Sequence, residues 1–122
     1  MTYQRIALSS AIVMAPSEAR IDMSNADAFK EALVESVASA PKVLIVDLSS
    51  VEYISSAGLR SLMIALKAAK AAQKTLAVAA LQPLTKEIFA ISRFDMVFSL
   101  FDRVRDAIAG LAPDAVAEFD AL

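Results

Sequence analysis

Neither cysteine nor histidine occurs among the 122 residues. The first absence removes disulfides, zinc ribbons, iron–sulfur clusters and thiol nucleophiles. The second removes the Ser-His-Asp triad, an imidazole base and any His-bearing metal site. Only carboxylate, lysine and oxygen-only metal chemistry is left, so the expectation is a chain that is not an enzyme and carries no metal or cofactor. A basic surplus is also missing: 12 Lys and Arg against 14 Asp and Glu give a net charge of −2. A binder of duplex nucleic acid wants the opposite balance. Long apolar runs are missing too. The longest charge-free stretch, Ile6 to Ser17, falls well short of the ~20 apolar residues that span a bilayer.

What the chain has is apolar mass. Hydrophobic residues make up 57%, which excludes disorder, and the length suits one domain. The first residues, Met1 to Ala19, loosely resemble a signal peptide. However, only Arg5 precedes the apolar stretch and Ser9-Ser10 divide it. Two short strands, Gln4 to Leu8 and Ala11 to Ala15, around a Ser9-Ser10 turn fit the letters better. A cytoplasmic protein without membrane insertion is expected.

Beyond Pro16, Arg20-Ile21-Asp22 reads as a short extended or loop segment. Ser24 or Asn25 suits the N-cap of a helix with Ala26, Phe29, Leu33 and Val37 on one face, closed by Pro41. Val43 to Val46 is an uninterrupted apolar run, a strand buried on both faces as in parallel pairing, with Asp47 at its C-terminal end. A loop, Leu48 to Ile54, leads to Ser55-Ser56-Ala57-Gly58 and a helix striped by Leu59, Leu62, Met63 and Leu66. Thr75 to Ala80 is the next strand. Pro83 opens a third helix marked by Leu84, Ile88 and Ile91. Val97 to Leu100 is a last strand. Val104, Ala107, Ile108 and Leu111 mark a fourth helix, and residues 112–122 form a tail expected to fray. This order predicts an α/β domain with a mixed, mostly parallel sheet, an N-terminal hairpin and about four helices. Phe29, Leu33, Val46, Leu59, Met63, Leu66, Ile88 and Ile108 are expected in one core.

Sites in such sheets lie at the carboxyl ends of the strands, the edge that carries Asp47 and the Ser55–Gly58 turn. Asp47 as a phospho-accepting aspartate lacks its companions: no acidic pair follows the first strand and no lysine follows Thr75–Ala80. It reads instead as an acceptor of backbone N–H groups in its own loop. The Ser55-Ser56-Ala57-Gly58-Leu59 turn is the sharpest feature, with two hydroxyls and two small residues at a helix mouth. It lacks the Gly-rich span and Lys of a nucleotide-binding loop. Ser56 as a hydrolytic nucleophile lacks an adjacent base.

The run Val43-Leu44-Ile45-Val46-Asp47-Leu48-Ser49-Ser50-Val51-Glu52-Tyr53-Ile54-Ser55-Ser56-Ala57-Gly58-Leu59-Arg60-Ser61-Leu62 resembles the signature of STAS domains, the anti-sigma-factor antagonist family. Arg20-Ile21-Asp22 resembles the element before that family's first helix, and Leu81 to Phe94 its late segment. The resemblance spans residues 4–111, within a domain taken as 1–122. It implies a protein-binding switch. The unphosphorylated antagonist holds an anti-sigma factor with serine kinase activity. That kinase phosphorylates a serine at the mouth of the second helix, here Ser56, and a serine phosphatase reverses it. The implied partner-binding residues are Asp22, Ser24, Ser55, Ser56, Ala57, Gly58 and Arg60. Four positions depart from the family pattern: Ser55 stands for an Asp, Ala57 for a Ser, and Ala19 and Arg93 for glycines. A second reading is an adaptor that is not phosphorylated, such as a scaffold in a stress-signalling complex or an accessory subunit of a lipid transporter. Asp22 and Ser24 are expected close to the Ser56 turn, where Asp22 would order the Ser56 hydroxyl or chelate a kinase's metal.

Overall fold

The computed structural model describes residues 1–122. In chain order its strands are β1 (Tyr3–Ala7), β2 (Ala11–Pro16), β3 (Arg20–Ile21), β4 (Val43–Asp47), β5 (Tyr53–Ile54), β6 (Thr75–Ala79) and β7 (Ser99–Phe101). Its helices are α1 (Ala26–Ser39), α2 (Ser56–Ala71), α3 (Pro83–Ile91), α4 (Val104–Leu111) and α5 (Val116–Asp120). Five strands form the main sheet in the order β1-β2-β4-β6-β7. The hairpin β1–β2 is antiparallel, and β2, β4, β6 and β7 run parallel. The short strands β3 and β5 form a separate parallel ribbon.

The uninterrupted apolar strand is central because both its faces are covered. Leu44 and Val46 join a cluster under α1, α2 and α3, whereas Val43 and Ile45 join a cluster under α4. The same alternation holds in β2, where Ile12 and Met14 face one way and Ala11 and Val13 the other. There are therefore two cores, not the single one expected. Phe29, Leu33, Val46, Leu59 and Leu66 are buried in the first, against which Met63 and Ile88 pack half-buried, and Ile108 lies in the second.

Three other expectations need correction. In α3 the expected stripe holds only at Ile88: Thr85 and Phe89 are the buried residues, while Leu84 and Ile91 are exposed. The Thr85 hydroxyl donates to the Val51 carbonyl at 3.2 Å, and Phe89 packs edge-on against Phe94. Hydropathy alone ranks Leu and Ile above the threonine that the loop carbonyl requires. The last strand begins at Ser99 rather than Val97 because a 3₁₀ turn, Phe94–Met96, precedes it. Residues 112–122 do not fray. They form a 3₁₀ turn, Pro113–Ala115, and α5. Arg105 forks onto Asp120 with two 2.9 Å bonds, and Glu118 accepts the Ser9 N–H at 2.9 Å.

Of the two positions where the family pattern has glycine, only Arg93 is left-handed, with φ 61°. Ala19 is not among the residues of positive φ.

Candidate functional site

The site grows from the β3–β5 ribbon. Two extended residues, Arg20-Ile21, pair in register with Tyr53-Ile54, and each strand feeds a helix. The Arg20 guanidinium stacks 4.5 Å above the Tyr53 ring, and the Ser55 N–H donates to the Ile21 carbonyl at 2.8 Å. The starts of α1 and α2 are thereby brought side by side.

Before α1, the polar side chains of the turn are bound to one another and to the backbone. The Asn25 side chain accepts from the Asp22 N–H and donates to the Arg20 carbonyl, both at 2.9 Å. The Ser24 N–H and hydroxyl both donate to Oδ1 of Asp22, at 2.9 and 2.6 Å. These two bonds, with Arg20 nearby, hold the Asp22 carboxyl below its ordinary range against the opposing effect of desolvation. Asn25 is the N-cap residue of α1, although its side chain caps the Asp22 turn rather than the helix.

Before α2, Ser55 is the N-cap in extended conformation, and its hydroxyl accepts from the Gly58 N–H at 3.4 Å. Gly58 is buried rather than presented. A Cβ there would lie 2.6 Å from Ile54 Cγ1 and 2.9 Å from Ile21 Cγ2. Its bare backbone seats α2 directly on the ribbon. Ser61 is a residue that pattern reading misses. It is buried, and its hydroxyl donates to the Ala26 carbonyl at 2.8 Å, tying the second turn of α2 to the start of α1. Its one signal in the sequence is a polar residue interrupting an apolar stripe. Asp47 behaves as expected, accepting the Ser49 N–H at 2.9 Å.

Ser56, the first helical residue of α2, is exposed and its hydroxyl makes no hydrogen bond within the chain. It lies on a ridge between two open depressions. The larger, about 480 Å³, is lined by Met23, Asp27, Tyr53, Ser55, Ala57 and Arg60 as well as Ser56. The smaller, about 330 Å³, adds Leu59, Met63, Ser92 and Phe94. Ser56 and Arg60 line both. Neither Asp22 nor Ser24 lines either depression.

With Ser55 N held 2.8 Å from the Ile21 carbonyl, standard backbone dimensions place the Asp22 and Ser56 Cα atoms within about 11 Å. The two loops therefore share one edge. The Asp22 carboxylate, however, is engaged by Ser24 and makes no hydrogen bond to Ser56. The expected ordering of the Ser56 hydroxyl by Asp22 is not found. No cluster of three or more acidic side chains suited to a metal ion is present, and no helix is long and apolar enough to cross a membrane.

Comparison with known proteins agrees with this architecture. The STAS domain model matches residues 4–107. The chain is 35% identical over 92 residues to the anti-sigma-F factor antagonist RsfB of Mycobacterium tuberculosis, covering 75% of this chain and 74% of that protein. Its structure superposes on that of an anti-sigma factor antagonist from Mycobacterium paratuberculosis with a TM-score of 0.80 at 28% identity, over 90% of this chain and 92% of the other. An anti-sigma-factor antagonist (STAS) domain protein from Planctomyces limnophilus shares the fold at 18% identity, with a TM-score of 0.78 over 90% and 97% of the two chains. The chain belongs to the STAS domain family.

Proposed function

We propose that this chain is an anti-sigma-factor antagonist whose binding surface is the Ser56 edge, and that phosphorylation of Ser56 releases its partner. The partner is an anti-sigma factor with serine kinase activity, and a serine phosphatase restores the binding form. The observation that carries this reading is the position of Ser56: exposed, unbonded and on the ridge between two depressions. Ser55, by contrast, is spent on the helix cap. Similarity to the mycobacterial antagonist supports the same reading.

The physics of release is direct. A phosphate adds about −1.5 to −2 charges at neutral pH. The start of a helix tolerates that charge, so the fold stays as it is. A flush partner surface does not, because one unpaired charge buried on association costs several kcal/mol. In this reading the protein is a cytoplasmic binding module rather than an enzyme, with no direct contact to nucleic acid. Met23, Ser55, Ser56, Ala57 and Arg60 form the contact surface. Asp22 and Ser24 shape it from the neighbouring loop.

The test is capture of the cognate anti-sigma factor by three forms of the protein. Wild type and Ser56→Ala are expected to bind equally, and Ser56→Asp to bind at least tenfold more weakly. Equal binding by all three would favour the adaptor reading.

A further inference from the structure

We propose that phosphorylated Ser56 is bound within its own helix by Arg60, so that modification withdraws a cation from the binding surface as well as adding an anion. This inference rests on the reading of Ser56 as the acceptor. In that step the kinase transfers the γ-phosphoryl group of ATP. The bond from Ser56 Oγ to phosphorus forms as the bond to ADP breaks, and the hydroxyl proton passes to the kinase.

The geometry comes from α2. Residues four apart on a helix lie one above the other with Cβ atoms about 5–6 Å apart. Helical side chains lean toward the N-terminus, so the long Arg60 side chain reaches back over the turn that carries Ser56. The structure shows the result, since these two residues alone line both depressions. Arg60 is also free. Arg5, Arg20, Arg103 and Arg105 each have a carboxylate within 4.0 Å, whereas Arg60 is exposed and has none. No acidic residue stands in the first turn of α2 to compensate it.

The charged and titratable neighbours direct the phosphate the same way. Asp27 and Tyr53 line the larger depression, and Asp27 repels an anion. Asp22 is already held by Ser24. Arg93, exposed and likewise without a carboxylate, lies between Ser92 and Phe94 of the smaller depression but does not line it. The Arg60 guanidinium is therefore the one cation lining either depression, and its planar fork matches two phosphate oxygens.

The experiment uses the full chain with phosphoserine incorporated at position 56 during synthesis, so no kinase is needed. Phosphorus NMR follows the second ionisation of the phosphate in wild type, Arg60→Gln and Arg60→Lys. The ionisation midpoint is expected to lie lower in wild type than in Arg60→Gln by about 0.3 pH units or more, with lysine recovering part of the shift. The Arg60 Nε signal should move as the phosphate ionises. Identical midpoints in wild type and Arg60→Gln, with an unmoved Nε signal, would overturn the proposal. Failure of the wider functional reading shows separately, as absence of phosphate on Ser56 after treatment with the kinase.

Discussion

The turns that lead into α1 and α2 are built from the same parts and used differently. Each follows a two-residue strand of one ribbon, contains serine and opens a long helix. Before α1, the Ser24 hydroxyl is bound to Asp22, and Asn25 bridges Asp22 to Arg20. Before α2, Ser55 supplies the cap and the Ser56 hydroxyl is left without a partner. A hydroxyl that the fold does not need is one that a kinase can modify without unfolding the domain. The bound turn braces the edge, and the free one leaves a hydroxyl open to modification.

Breaking what the two turns share should have the largest effect. Leu33 of α1 and Leu66 of α2 are both buried in the core beneath them. Truncating either to alanine should lower stability by about 2–5 kcal/mol in urea denaturation. Gly58→Ala attacks the seat of α2 alone. A methyl group within 3 Å of Ile54 and Ile21 forces the ribbon and helix apart, and about 1–3 kcal/mol should be lost.

Asp22 distinguishes the two turns by pH. Its folded carboxyl is held below the ordinary value, chiefly by Ser24. The stability it adds is therefore complete above the unfolded pKa of about 3.9 and disappears as pH falls through the folded value. The gap in stability between wild type and Asp22→Asn should be constant from about pH 7 to 5 and shrink below about pH 4. The smallest effect belongs to Ser56→Ala. With no bond to lose, its stability in urea should match wild type to within about 0.5 kcal/mol, while phosphorylation by the kinase is abolished.

Much of this contrast is legible in the sequence. The double-sided burial of Val43–Val46 places β4 at the centre, and Ser-Ser-Ala-Gly marks the start of α2. What stays hidden depends on contacts distant in sequence. The ribbon β3–β5 has two residues per strand, too few for a period to register. The role of Gly58 depends on Ile21 and Ile54 meeting above it. Ser61 and Thr85 are polar residues in apolar stripes, and each is explained only by the carbonyl it reaches across the fold. The C-terminal residues carry no strong helical stripe. They are held by Arg105 nearby and by Ser9 and Ser10 from the far end of the chain.

Ser56 is free to be modified because the fold does not use it, whereas Ser24 and Ser55 are occupied. The direct test is incubation of the folded protein with its cognate kinase and ATP, followed by mapping of the phosphate by mass spectrometry and a binding assay on the product. Phosphate is expected on Ser56 alone, with Ser24 and Ser55 unmodified, and the phosphorylated protein should no longer hold the anti-sigma factor. Phosphate on Ser24 or Ser55 in the folded protein, or a Ser56-phosphorylated form that still binds fully, would contradict this division of labour.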